Sequence, residues 1–81
     1  MELISLTEKQ KKYLKKYNLE KKFQKQINIL LDNPRHPSLN VEKIPSFGPG
    51  LYSFRVDKQY RAIFAFSKGF IKIVVLTNHY R

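Results

Sequence analysis

Arg55 and Arg61 stand six residues apart, each inside a short alternating run of apolar residues, Tyr52-Ser53-Phe54-Arg55-Val56 and Tyr60-Arg61-Ala62-Ile63-Phe64. A long cation in such a run is either paired or turned to an open face of the strand. Paired, each would reach Asp57 or Glu42. On an open face, each would clamp a phosphate, because a guanidinium donates two parallel hydrogen bonds to phosphate oxygens. The sequence closes on Thr77-Asn78-His79-Tyr80-Arg81. Histidine titrates near pH ~6.5 and is the usual proton-transfer group at neutral pH, and a tyrosine beside it can stack on a base or bond a phosphate. Glu42, the only acid between Asp32 and Asp57, joins this chemistry only if its loop carries it toward Arg61 and His79. His36, set between Pro34 and Pro37, reads as a residue that fixes the loop path, with catalysis the lesser alternative.

Charge narrows the partners. Sixteen Lys and Arg against six Asp and Glu give a net charge of +10, a field that attracts polyanions and speeds their encounter. RNA, DNA, an acidic membrane and an acidic protein all qualify. Eight lysines fall between positions 9 and 25, with Glu20 the only acid there. They form either the solvated outer faces of two helices or a surface that docks on phosphates, giving affinity without sequence preference. There is no cysteine, which removes disulfides, thiolate metal sites and a Cys nucleophile. Two histidines and six scattered acids make a metal cage improbable, and no cofactor is expected. The opening MELISLTEKQ lacks the apolar stretch of a signal peptide, and no run approaches the ~20 apolar residues that span a bilayer. The expectation is a cytoplasmic protein without membrane attachment.

The elements that would position these residues divide into a helical first half and a strand-rich second half. With 81 residues the chain forms a single domain, 1–81, whose thin core buries only about 60% of the unfolded surface; six Phe and five Tyr supply much of that burial. Residues 2–6 suit a short strand. Thr7 with Gln10 three positions on matches the capping-box pattern and starts a helix over 8–17. Asn18 suits the break. A second helix over about 19–32 sets Phe23, Ile27, Leu30 and Leu31 on one stripe, and Asn33-Pro34 stops it. Residues 33–50 hold all four prolines. They predict a long functional loop, with an extended segment near 40–44 and apolar anchors at Leu39, Val41, Ile44 and Phe47. Three strands follow, at Leu51 to Val56, 60–66 and 70–77, joined through Asp57-Lys58-Gln59 and a Lys68-Gly69 turn.

With those turns, the two-residue period of a strand sorts the side chains. Tyr52, Phe54, Val56, Tyr60, Ala62, Phe64, Phe66, Ile71, Ile73 and Val75 share one face, which the helical hairpin covers. Arg55, Arg61 and Lys72 fall on the other. The expected fold is α+β, an N-terminal helical hairpin packed on one face of a small, mainly antiparallel sheet.

Two helices, the PRHPSL loop, the two strand arginine motifs and a last strand ending in His79-Tyr80 resemble the RelE/ParE toxin superfamily over nearly the whole chain. The segment GLYSFRVDKQYRAIFAF and the terminal NHY are most similar to its YoeB branch of ribosome-dependent mRNA interferases. That resemblance implies a metal-independent endoribonuclease of a type II toxin–antitoxin system, with Glu42 as general base, Arg61 on the phosphate, and the His79-Tyr80 pair. Glu42 lies eight residues before Gly50 and Arg61 eleven after it, a spacing that suits the branch. Arg55, Lys43, Lys72 and Arg81 stand as candidate RNA and phosphate contacts. It also implies an acidic antitoxin as partner, beside mRNA and the ribosome, and inhibition of translation as the outcome. Two rivals share the fold: a ParE-like inhibitor of DNA gyrase, and a non-catalytic module that binds RNA or protein.

Overall fold

The computed structural model describes residues 1–78. The chain runs β1 (Glu2–Leu3), α1 (Glu8–Lys16), α2 (Glu20–Asp32), β2 (Glu42–Lys43), β3 (Leu51–Arg55), β4 (Tyr60–Ser67) and β5 (Phe70–Asn78), with single 3₁₀ turns at Pro37–Leu39 and Pro45–Phe47. Its five strands make one sheet in the order β1-β5-β4-β3-β2. All pairings are antiparallel except that of β1 with β5. The α+β architecture expected from the sequence is the one observed.

Local chemistry explains most boundaries. Thr7 Oγ1 accepts the Gln10 amide at 3.1 Å and Gln10 Oε1 accepts the Thr7 amide at 3.0 Å, the reciprocal cap its spacing predicts. The cap also shortens the first strand: only Glu2 and Leu3 pair, with Phe70 and Ile71, before the chain turns into α1. Asn18 takes a left-handed conformation, φ 56°, at the corner of the helical hairpin, where asparagine is tolerated better than most residues. Asn33 is extended, φ −146°, because the following Pro34 excludes the helical region. In the β4–β5 turn both Lys68 (φ 49°) and Gly69 (φ 85°) have positive φ, the geometry that matches strand twist in a two-residue hairpin.

The core forms between the hairpin and one face of the sheet. Leu14, Leu19, Phe23, Ile27 and Leu30 pack from the helices against Phe54, Val56, Ala62, Phe64, Ile71 and Ile73. Leu39 closes the cluster from the loop and is completely buried. Of the four expected anchors, Leu39 serves that role and Ile44 is half-buried. Val41 and Phe47 do not: they are 37% and 56% exposed. Gln26, buried in α2, donates to the carbonyls of Ser38 at 3.1 Å and Arg55 at 2.7 Å. One amide thereby ties helix, loop and β3 together, satisfying two acceptors that would otherwise be costly to bury.

Two face assignments change. Between Ile73 and Val75 the partner on β4 advances only from Phe64 to Ile63, so Val74 is an extra residue and β5 carries a bulge. Beyond it the alternation reverses. Val75 pairs with Ile63 and is 36% exposed, while Leu76 pairs with Ala62 and packs against the core instead. The Ile73 carbonyl at the bulge accepts from Gln10 Nε2 at 2.9 Å. Phe66 keeps its expected register opposite Ile71 but lies 51% exposed. Among the described residues no helix is long and apolar enough to cross a membrane.

Candidate functional site

The face of the sheet away from the helices carries Arg61. On that face Arg55 of β3, Arg61 of β4 and Thr77 of β5 lie in one row, and Glu42, Ser53, Ile63 and Val75 in the next. Two arginines placed directly opposite each other on neighbouring strands repel, and a sheet gains nothing structural from them. Their placement makes sense if an anion completes the pair.

Arg61 is the more constrained of the two, only 7% exposed. Its Nε donates to Ser53 Oγ at 3.0 Å, and its Nη2 donates to the Asn40 carbonyl at 2.6 Å and the Ser53 carbonyl at 3.3 Å. Those acceptors are neutral, so they orient the guanidinium without cancelling its charge. Burial pushes the Arg61 pKa below its ordinary value, Glu42 works against that shift, and Arg55 adds to it. Glu42 Oε1 stands 3.9 Å from Arg61 Nη2, too far for a hydrogen bond. Its carboxylate is about half exposed, at 53%. A fixed cation beside an open, loosely held carboxylate is an arrangement that can bind an anion and move a proton next to it.

Around this pair the surface is concave, with a volume of about 200 Å³. Ser53, Arg61 and Thr77 supply its polar atoms along with Glu42; Ile44, Phe47 and Ile63 supply its apolar walls. Phe47, expected as an apolar anchor of the loop, instead offers an exposed ring beside the cation, the combination on which a nucleic-acid base can stack. The long loop positions all of this. Asn40 adopts a left-handed conformation, φ 45°, just after the buried Leu39, and points its carbonyl at Arg61. His36 Nδ1 accepts the Ser38 amide at 3.1 Å, fixing the preceding turn, which is the structural part the sequence suggested for it.

The remaining candidates divide. Arg55 is exposed in the same row as Arg61. Lys72 shares the face but pairs with Ala65, four residues along β4 from Arg61, or about 13 Å. Lys43 pairs with Tyr52 and by strand alternation turns to the opposite face from Glu42. His79, Tyr80 and Arg81 lie outside the described residues. Asp57 partners neither arginine: its Oδ1 accepts the amides of Gln59 and Tyr60, both at 2.8 Å, and its Oδ2 meets Lys22 Nζ at 3.3 Å. All eight lysines of the two helices are exposed. Among the described residues no three His, Asp or Glu side chains are grouped to hold a metal ion.

Sequence reasoning missed Ser53, Asn40 and Thr77. The strand period could have found Ser53, a small polar residue sharing the arginine face. Asn40 acts through its backbone and leaves no side-chain signal. Thr77 comes opposite Arg61 only because of the bulge.

No protein-family model matches the chain, and no curated protein does. Solved structures do. A YoeB/ParE toxin from Agrobacterium tumefaciens is similar over 99% of this chain and 100% of its own, with TM-score 0.75 and 16% identity, a likeness of fold alone. A chain of the YoeB–YefM complex from Staphylococcus aureus is 30% identical over 96% of this chain and 93% of its own, with TM-score 0.60. The YoeB dimer from Staphylococcus aureus is 29% identical over the same shares, with TM-score 0.62.

Proposed function

The chain belongs to the RelE/ParE toxin superfamily, on its YoeB-like branch, and from that membership and the Glu42–Arg61 groove we propose that it is the toxin of a toxin–antitoxin pair and a metal-independent endoribonuclease acting on mRNA at the ribosome. The observation that carries the reading is the buried Arg61, oriented by neutral acceptors and facing both Arg55 and an exposed Glu42.

In the proposed reaction Glu42 takes the proton from a ribose 2′-hydroxyl, and the freed oxygen attacks the adjacent phosphorus. Arg61, with Arg55 alongside, offsets the charge that builds on the phosphoryl oxygens, the term that is often largest in such catalysis. His79, which follows directly on β5 in sequence, gives a proton to the departing 5′-oxygen, and Tyr80 orients the base or the phosphate. The products are a 2′,3′-cyclic phosphate and a 5′-hydroxyl. Phe47 stacks a neighbouring base, and Lys72 and Arg81 are further phosphate contacts, whereas Lys43, on the opposite face, is not. The net charge of +10 suits an acidic antitoxin, whose complementary field would speed association.

Primer extension on mRNA in a purified translation system tests this, with Glu42→Ala and His79→Gln beside the wild type. Cuts in translated mRNA that vanish in both variants are the expected outcome. Cuts that persist in Glu42→Ala would move the base to another group. Absence of cuts in the wild type would overturn the nuclease reading and direct attention to DNA supercoiling by gyrase.

A further inference from the structure

The β3–β4 turn, at the end of the sheet where Arg55 and Arg61 pair, carries a second cationic feature that the Glu42–Arg61 chemistry does not use. Lys22 and Lys25 of α2 and Lys58 of the turn converge on one concavity with Gln26 and Gln59. They come from segments more than thirty residues apart in sequence, so helix amphipathicity alone does not bring them together. Asp57 sets the arrangement. One carboxylate oxygen caps the turn through two amides, and the other holds Lys22, so the acid is engaged on both sides.

A cluster of three tyrosines begins at Tyr60, the residue that follows the turn. Tyr60, whose amide bonds Asp57, packs its ring 5.5 Å from that of Tyr17 and 6.2 Å from that of Tyr13. Tyr13 and Tyr17 lie 4.9 Å apart. Tyr17 is 41% exposed, with Lys16 Nζ 5.3 Å from its ring centre. A backed, half-exposed ring among cations is what a single strand of nucleic acid uses, because bases stack while phosphates meet lysines. On the other side, the Arg55 carbonyl accepts from Gln26 of the same concavity, which sets the concavity at the end of the sheet where Arg55 and Arg61 pair.

We propose that this end of the molecule is a second single-stranded RNA contact, in which Lys22, Lys25 and Lys58 hold backbone phosphates beyond the cleaved one and Tyr17 stacks a base. The proposal rests on the nuclease reading only for the polymer's identity. A folded acidic protein would meet the same lysines, and its binding is an outcome that the test separates from this one.

The test is binding of a fluorescently labelled 2′-O-methyl RNA oligonucleotide, which cannot be cut, measured by anisotropy across a salt series. Wild type is compared with Tyr17→Ala, with the triple Lys22→Gln/Lys25→Gln/Lys58→Gln, and with a triple of equal charge change, Lys9→Gln/Lys11→Gln/Lys68→Gln. Thermal melting of each variant confirms the fold. The expected result is a log–log salt slope smaller by about 2 in the first triple, three contacts at about 0.7 each, and little changed in the second. Tyr17→Ala is expected to bind about tenfold more weakly with its slope intact. Equal slopes in the two triples would overturn the proposal, as would wild type that ignores the oligonucleotide but binds a polyglutamate peptide through these lysines. Failure of the nuclease reading looks different: no cuts in translated mRNA, with this binding unchanged.

Discussion

At the scale of single residues, the site is organised by what holds Arg61 rather than by what it holds. Nε and Nη2 are committed to Ser53 and Asn40, so the guanidinium keeps one direction before any substrate arrives, and a fixed dipole or charge is worth more than one that must reorganise. Arg61→Ala is expected to lower the single-turnover cleavage rate at least ~10²-fold, as loss of one oxyanion donor does. Ser53 is a positioning residue by the same argument. Ser53→Thr keeps the hydroxyl and Ser53→Val removes it from nearly the same shape; the valine variant is expected to lose about tenfold in kcat relative to the threonine variant with KM little changed. Equal kcat in the two would show that the hydroxyl has no part in setting the cation. Arg61 itself was legible in the sequence, a cation stranded among apolar strand residues. Ser53 was legible only through register, and the Asn40 carbonyl not at all, since a backbone acceptor depends on the path of the whole loop.

At the scale of elements, turns and caps did what their residues dictate. Thr7 and Gln10, Asn33-Pro34 and Lys68-Gly69 each name a boundary because each solves a local hydrogen-bonding or steric problem. The β3–β4 turn adds electrostatics. Burial alone would raise the Asp57 pKa, but the amides of Gln59 and Tyr60 and the Lys22 ammonium outweigh it and hold the carboxyl below its usual value. A depressed folded pKa means that the carboxylate's contribution is complete above the unfolded value and is lost as pH falls through the folded one. Asp57→Asn is therefore expected to lower urea stability by about 1 kcal/mol at neutral pH. The gap to wild type should close as pH drops below ~4. Equal stability of the two at neutral pH would mean that the turn needs only the side-chain oxygen, not its charge. The bulge in β5, by contrast, had no signature, because Ile73-Val74-Val75-Leu76 offers the same apolar, mostly β-branched surface in either register.

For the molecule as a whole, a thin core and a long loop are one structure. The expected anchors divided because the loop serves two surfaces. Leu39 enters the core, whereas Phe47 and Val41 stay outside it, and composition cannot tell an apolar residue meant for the core from one meant for a ligand. Since Leu39 is buried on the helical side and the next residue bonds Arg61 on the other, stability and site geometry are joined through two adjacent residues. Leu39→Ala is expected to cost 2–5 kcal/mol in urea unfolding, a large share of the total for a domain of this size. It is also expected to reduce cleavage at temperatures where the variant is still folded. Full activity in a destabilised but folded Leu39→Ala would show that Asn40 holds its place without the core.

The extra residue at Val74 gives β5 an asymmetric tolerance to changes in length. Upstream, Ile71 and Ile73 keep the odd positions in the core; downstream, Leu76 takes over and leaves Thr77 to the groove. A strand with one surplus residue can lose it and keep everything beyond in frame, because straightening the bulge still leaves Thr77 opposite Arg61. It cannot gain one on the same terms, since a further insertion must either widen the bulge or turn the last strand over. Among natural or engineered variants of this chain, single deletions between Ile73 and Leu76 should outnumber single insertions there.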